Sequence, residues 1–190
     1  MELELTALDD HLADHDVDGY LIDADSTDPN QRYLSGFDAP DPFLTCYTPD
    51  GLAVLVSGLE YSRAVTESRA DTVKRPADYD RRRLLSEYGP TEATHRINSA
   101  FLADCGVDSV FVPDRFPLST ADGLREQGHT VSVDTDDVLM NIRAVKHADE
   151  IDHIRAAPRA NETTMAAAEA TPPAASVDNA RRLTYEGATL

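Results

Sequence analysis

Two hydrophobic rhythms alternate along the chain. Leu5, Leu8 and Leu12 lie at helical spacing with Asp9, Asp10 and Asp14 between them, which predicts a first helix to about His15. Val17–Ile22 is a short apolar run that fits a strand buried on both faces. Asn30–Phe37 reads as a helical turn closed by Gly36, a residue free to take a positive φ. Two prolines then stiffen the loop Asp38-Ala-Pro-Asp-Pro42. Phe43–Tyr47 and Leu52–Val56 are strands, and Thr48-Pro-Asp-Gly51 between them is a turn signal, so the pair is a hairpin. A helix over Leu59–Arg69 and a short strand over Thr72–Arg75 come next. A polar helix spans Tyr79–Tyr88, and a second one, Thr91–Asp104, carries Ala93, Ile97, Ala100 and Phe101 on one stripe. Ser109–Val112 is a strand ended by Pro113, and Ser119–Gln127 is a helix closed by Gly128. Thr130–Val133 alternates like an edge strand, and Asp136 caps a helix from Asp137 to about Arg143.

The sum is about six strands, one antiparallel hairpin among them, with helices between the others. That predicts an α/β fold built on a mixed sheet flanked by helices. An internal echo supports it. Leu12-Ala-Asp-His-Asp-Val-Asp-Gly-Tyr-Leu-Ile22 resembles Leu102-Ala-Asp-Cys-Gly-Val-Asp-Ser-Val-Phe-Val112, so a helix twice hands over to a buried strand by one short turn. The stretch Asn141–Arg155 is expected to be helical, with Ile142, Val145, Ile151 and Ile154 apolar and charges in the gaps. Beyond it, Pro158 should kink or break the chain's helix, and Pro172-Pro173 should end any helix over Asn161–Ala170. Three regions result: a domain over 1–141, linking helices over 142–170, and a tail over 171–190 expected to lack order.

Charge narrows the partners. Against 17 basic residues stand 35 acidic ones, a net of −18, and only Lys74 and Lys146 are lysines. Such a chain repels nucleic-acid phosphates and anionic membranes, so neither is an expected partner. An acidic, lysine-poor surface also resembles that of proteins from salt-loving microbes, where ions screen the self-repulsion. Cys46 and Cys105 lack C-x-x-C spacing and sit beside apolar runs, which reads as buried small hydrophobes and no disulfide framework. No apolar run nears the ~20 residues of a membrane span, and the N-terminus has no signal core, so the expected location is cytoplasmic.

Motifs in order make the picture specific. Arg32-Tyr33-Leu-Ser-Gly36-Phe37, a loop, and the hairpin around Pro49-Asp-Gly51 resemble the N-terminal domain of the creatinase, prolidase and Xaa-Pro aminopeptidase family. Arg143-Ala-Val-Lys146 with Glu150-Ile151 resembles that family's lead into its catalytic "pita-bread" domain. The resemblance covers about residues 3 to 162. It implies a ribonuclease-H-like mixed sheet and membership of a dimeric metallopeptidase that cleaves the bond before proline with two divalent ions, manganese or cobalt. It also implies that the loop after the Tyr-Leu-Ser-Gly-Phe run reaches a neighbouring subunit's catalytic mouth and limits substrate length. Asp38, Asp41 and Phe43 are the candidate rim or dimer-contact residues on that reading.

The family's metal site takes two aspartates, a histidine and two glutamates from its second domain. Beyond Glu150 this chain offers Asp152, His153, Glu162, Glu169, Asp178 and Glu186 without the family's motif context. A dinuclear site needs about five such ligands to neutralise charge and hold a bridging water. The chain is therefore expected to hold no cofactor and to hydrolyse no peptide alone. It would act with a catalytic domain or as a homodimer, meeting peptide only through that domain. A non-enzymatic peptide-binding module and a piece of a creatinase-like amidinohydrolase are the other readings. An open frame encoding D-x-G and later H-x-x-G after Leu190 would favour a hydrolase; a natural stop would favour the module.

Other constellations carry less. His11 and His15 share a helix face at i, i+4 and can chelate one ion, but the sequence fixes no third ligand. His147 and His153, six apart, do not share a face closely. Arg81-Arg82-Arg83 reads as a salt-bridging cluster, and no dinucleotide, phosphate-loop or serine-hydrolase motif is present.

Overall fold

Everything in the first unit is arranged around β1 (Gly19–Ala24), which the computed structural model places inside a six-stranded sheet. The structure describes residues 3–146, 148–177, 179, 181–185, 188 and 189. β2 (Phe43–Thr48) returns antiparallel to β1, and β3 (Gly51–Leu55) returns antiparallel to β2 with Thr48 opposite Gly51. β4 (Thr72–Lys74) joins β3 in parallel. On the other side β5 (Ser109–Val112) and β6 (Thr130–Val133) add in parallel, giving the order β4-β3-β2-β1-β5-β6. Only β2 opposes the rest, so the sheet is mixed, as the sequence predicts. β6 is an edge with a single buried side chain, Val131, in keeping with its alternating pattern.

Helices cover both faces because side chains alternate along each strand. Leu21, Leu44, Cys46, Leu55, Val110 and Val112 point to one face, under α4 (Arg81–Asp104) and α5 (Leu118–Glu126). Tyr20, Ile22, Tyr47, Leu52 and Phe111 point to the other, under α1 (Thr6–Asp14), α2 (Pro29–Ser35) and α6 (Val138–Ala144). α3 (Tyr61–Glu67) seals that second face over Phe43 and Val54 through Ala64. α4 is two helices joined at Gly89, whose φ of 79° and ψ of 175° are not helical. Pro90 after it forces the break that the sequence places between Tyr88 and Thr91.

The internal echo is one backbone device used twice. Leu12 carbonyl accepts Val17 N–H, and Leu102 carbonyl accepts Val107 N–H, both at 3.0 Å. Asp16 and Gly106 hold the left-handed position in the two copies, with φ of 53° and 72°. Their strands, β1 and β5, are parallel neighbours. Asp18 ties them together: its carboxylate accepts from Asp108 N, Ser109 N and Ser109 Oγ at 3.0, 2.8 and 2.8 Å. The Ser109 hydroxyl is the main reason this carboxyl lies below its ordinary pKa.

Val145–Leu190 forms a separate unit. Here four expectations are corrected. The helical reading of Asn141–Arg155 fails at Val145 and Lys146, which lie between α6 and α7 (Ala148–Ala174). Val145 is 70% exposed, so no burial rewards extending the turn. Pro158 and Pro172-Pro173 do not end α7, which runs through them to Ala174. Residues 152–170 are all exposed, so a carbonyl that loses its donor to proline faces water. In the tail, where no order is expected, the described residues include β7 (Ser176–Val177), β8 (Leu183–Tyr185) and β9 (Ala188–Thr189), paired antiparallel in that order. Short alternating segments such as Leu-Thr-Tyr supply enough pairing for so small a ladder. The fourth correction concerns the α6 cap, which is Asp134: its carboxylate accepts from Val138 N and Asp136 N, both at 3.0 Å. Among the described residues the Asp136 carboxylate takes no N–H from the first turn of α6 and lies towards His11 instead, with Oδ2 4.0 Å from His11 Nδ1. His147, Asp178 and Glu186 lie outside the described residues. Among the described residues no helix is long and apolar enough to cross a membrane.

Candidate functional site

The motif helix α2 is built by its ends. Asp28 caps it, accepting from Asn30 N and Gln31 N at 2.9 Å, and Pro29 starts it with no N–H to waste. Gly36 closes it in the left-handed region, φ 63°, with its N–H on Arg32 carbonyl at 2.9 Å. Arg69 then satisfies the free carbonyls: its Nη1 donates to Tyr33 O at 2.6 Å and its backbone N to Ser35 O at 2.8 Å. Tyr33 packs half-buried against the α1–α2–α6 core. The motif residues Tyr33, Gly36 and Phe37 thus fix where the next loop begins.

That loop, residues 38–42, lies at one end of the sheet, because Ala24 ending β1 stands opposite Phe43 opening β2. Its inner wall is apolar. Phe37 and Ala39 are buried, and Phe37 meets Phe43 edge-on at 5.7 Å. The Arg63 guanidinium covers the Phe37 ring at 5.3 Å and donates to the Asp38 carbonyl at 3.2 Å. Its outer wall is charged. Asp38 accepts from Ser26 Oγ at 2.8 Å and pairs with Arg32 at 3.0 Å; these two contacts, Ser26 first, hold its carboxyl below the ordinary aspartate value. Ser26 N donates to Ala39 O at 3.0 Å, which joins this loop to the one after β1. Underneath, Gln31 is fully buried, and its Nε2 donates to Ala24 O at 3.1 Å and Phe43 O at 2.8 Å.

The candidate rim residues separate accordingly. Asp38 is an exposed but fixed carboxylate, and Asp41 is exposed with no hydrogen bond or ion pair among the described residues. Phe43 is 4% exposed, and its ring belongs to the core at the loop's inner wall. The alternation of β2 turns it inward, next to Val54 and Val56. Sequence reading missed Gln31, Ser26 and Arg63, which set the loop's geometry; only the cap spacing of Asp28 hinted at an ordered turn there. Of the second motif, Arg143 sits on α6 with Nη1 on Asn30 Oδ1 at 2.8 Å. Lys146 lies in the exposed connection after α6, and Glu150 is in the first turn of α7.

The opposite end of the sheet holds a cleft of about 410 Å³ beside the hairpin turn, lined in part by Cys46, Lys74, Asp104 and Cys105. The structure brings the two cysteines together as free thiols. Its neighbour Cys105, together with burial, holds the Cys46 thiol well above its usual value, while Cys46 draws Cys105 down. Asp104 takes Lys74 Nζ at 3.1 Å and Tyr79 Oη at 3.0 Å. Of the arginine cluster, Arg83 bridges Asp80 and Glu87 at 3.2 and 3.0 Å, as a salt-bridging reading expects.

Two groups among the described residues place three ligand-type atoms close together: His11, His15 and Asp136, and Glu92, His95 and Glu126. Neither draws on the second unit. Asp152, His153, Glu162 and Glu169 are spread along the exposed length of α7. The described residues do not fit a five-ligand dinuclear centre.

The sheet order, its single antiparallel strand and the helices on both faces define a three-layer α/β domain with a stiff, acidic edge loop. The Creatinase/Prolidase N-terminal domain model matches residues 5–145, and the chain belongs to that family. The prolidase of Pyrococcus horikoshii OT3 superposes with a TM-score of 0.60 at 21% identity, over 87% of this chain and 42% of that one. The prolidase of Pyrococcus furiosus gives 0.61 at 20% identity, over 88% and 46%. A proline dipeptidase of Streptococcus pneumoniae gives 0.52 at 19% identity, over 76% of this chain and all of that one. These likenesses establish the fold. The chain spans less than half the length of the two Pyrococcus prolidases. No curated relative matches.

Proposed function

We propose that this domain is the non-catalytic N-terminal unit of an Xaa-Pro metallopeptidase. On this reading it supplies dimer contacts and, with residues 38–42, part of the rim of a partner's active site. The supporting observation is the loop itself. Its fold-side half is locked by Phe37, Ala39, Ser26 and Gln31, so it holds one shape at little entropic cost on binding. Its solvent side presents Asp41 beside a fixed Asp38. A carboxylate at such a rim attracts the ammonium end of a short peptide and favours substrates whose N-terminus reaches it. In the catalytic unit two divalent ions, manganese or cobalt, would supply the attacking hydroxide; this chain's part is to border the opening. A cytoplasmic location suits the reading, since two neighbouring thiols stay free there.

The test supplies a catalytic unit, by fusion to that of a prolidase, and compares Xaa-Pro dipeptides with longer peptides. Asp38→Ala with Asp41→Ala is expected to change the length preference in kcat/KM while far-UV circular dichroism stays native. The unfused chain is expected to give no turnover above a manganese-only blank. Unchanged length preference in the double variant, or turnover by the chain alone, overturns the proposal.

A further inference from the structure

The helix pair His11 and His15 acquires in the fold what the sequence leaves open. The loop between β6 and α6 lays Asp136 against them, and one ligand-type atom from each of the three residues lies within 4.8 Å of the others. The two imidazoles lie 4.6 Å apart, tilted 52° to each other, with Phe111 5.0 Å from His11 and edge-on to His15 at 5.4 Å. His15 Nδ1 is 2.9 Å from the His11 carbonyl, so that nitrogen carries the proton and Nε2 keeps its lone pair. His11 Nδ1 faces Asp136 Oδ2 at 4.0 Å. On the far side of the ring, His11 Nε2 is buried and makes no hydrogen bond, 3.4 Å from Asp134 Oδ1 and off its line. The His11 side chain is 11% exposed and that of Asp134 is 0%.

Asp134 is itself buried and hydrogen-bonded. Its two oxygens take Tyr20 Oη at 3.4 Å and the N–H groups of Asp136 and Val138 at 3.0 Å. A buried nitrogen facing a fixed carboxylate without bonding to it is an unfavourable state that a cation on the ring's other nitrogen would relieve. A metal at Nδ1 sets the tautomer with the proton on Nε2, and a small ring rotation lets that N–H donate a hydrogen bond to Asp134 Oδ1. Histidine ligands are commonly oriented by a carboxylate in this way.

We infer that His11 Nδ1, His15 Nε2 and an Asp136 oxygen form a site for one divalent borderline cation of the zinc, cobalt or nickel class, with Asp134 as the residue that positions His11. Two imidazoles and one carboxylate are the donor set these ions take, at ~2.0–2.2 Å, and the fourth position stays with water. Ligand atoms of a tetrahedral site stand ~3.3 Å apart, so closing the present 4.0 Å gap needs only side-chain motion in exposed His15 and Asp136. The ion would bind α1 to the β6–α6 loop, next to the core cluster that holds Leu8 and Leu12 of α1 and Leu139 of α6.

The experiment uses the full chain, stripped with chelator, in ~1 M salt so that diffuse binding by the acidic surface is screened. Zinc binding is followed by calorimetry, and cobalt(II) by the visible absorption of a four-coordinate ion. One ion per chain is expected. His15→Gln should abolish the cobalt band and, like Asp136→Asn, weaken zinc at least 10-fold. Both residues are exposed, so these variants keep the fold, which circular dichroism checks. His95→Gln, in the other candidate group, should change nothing. The inference is overturned if no saturable one-to-one binding occurs, if binding survives His15→Gln, or if it is His95→Gln that removes it.

Discussion

Gln31 is the residue on which the edge loop rests, and replacing it by leucine isolates its hydrogen bonds, because the two side chains are close in volume. The change strips donors from two carbonyls, Phe43 O in a buried setting and Ala24 O in a partly buried one. An unpaired buried acceptor costs about 1–3 kcal/mol, and a partly exposed one costs less because water recovers it. Against this, Gln31 Oε1 has no partner now, so its removal returns part of the cost. The balance is a destabilisation of about 2 kcal/mol. For a chain of this size that lowers Tm by about 4–8 °C. Urea unfolding followed by far-UV circular dichroism measures it, and the m-value should stay unchanged because the core is still filled. Hydrogen exchange adds a local readout: the amide of Ser26, bonded to Ala39 O across the two loops, should exchange faster. A Gln31→Leu protein within about 0.5 kcal/mol of wild type, with Ser26 equally protected, would show that strand pairing alone holds the loop.

Gly36→Ala should cost about 1–2 kcal/mol, since φ is 63° and the new Cβ would stand 2.9 Å from Arg69 Cγ; a urea midpoint equal to wild type would refute the backbone argument. Asp23, at the end of β1, is raised above its ordinary pKa by burial, a shift that the hydrogen bond from Thr120 Oγ1 at 2.7 Å partly opposes. Between the unfolded value, about 3.9, and the raised folded one, the native state holds more protons, so stability falls as pH rises through that interval. Asp23→Asn keeps an acceptor for Thr120 and removes this loss, so the variant should gain on wild type from acid to neutral pH. A stability difference that does not change with pH would refute it.

The rhythm of apolar positions determined most elements of the first unit. Helix and strand periods differ, and the turns between them are written in Gly, Pro and Asp, so the hairpin at Pro49-Asp-Gly51 and the break at Gly89-Pro90 could be read residue by residue. The family was legible for the same reason: Tyr33, Gly36 and Phe37 are local necessities of one capped helix and the loop after it. The second unit resisted, because its exposed helix α7 tolerates Pro158 and Pro172-Pro173 where a rule derived from packed helices places breaks. What only the tertiary structure decided is side-chain company across long separations. Phe43 looked like part of an acidic loop until the pairing of β2 with β1 and β3 turned its ring into the core. Asp134, not Asp136, proved to be the α6 cap, which left Asp136 pointing at His11 and His15 from 121 residues further along the chain than His15. Cys46 and Cys105 met in the same manner. Spacing along a chain fixes what lies on one face of one element; which faces meet depends on strand order, and no local pattern carries that information.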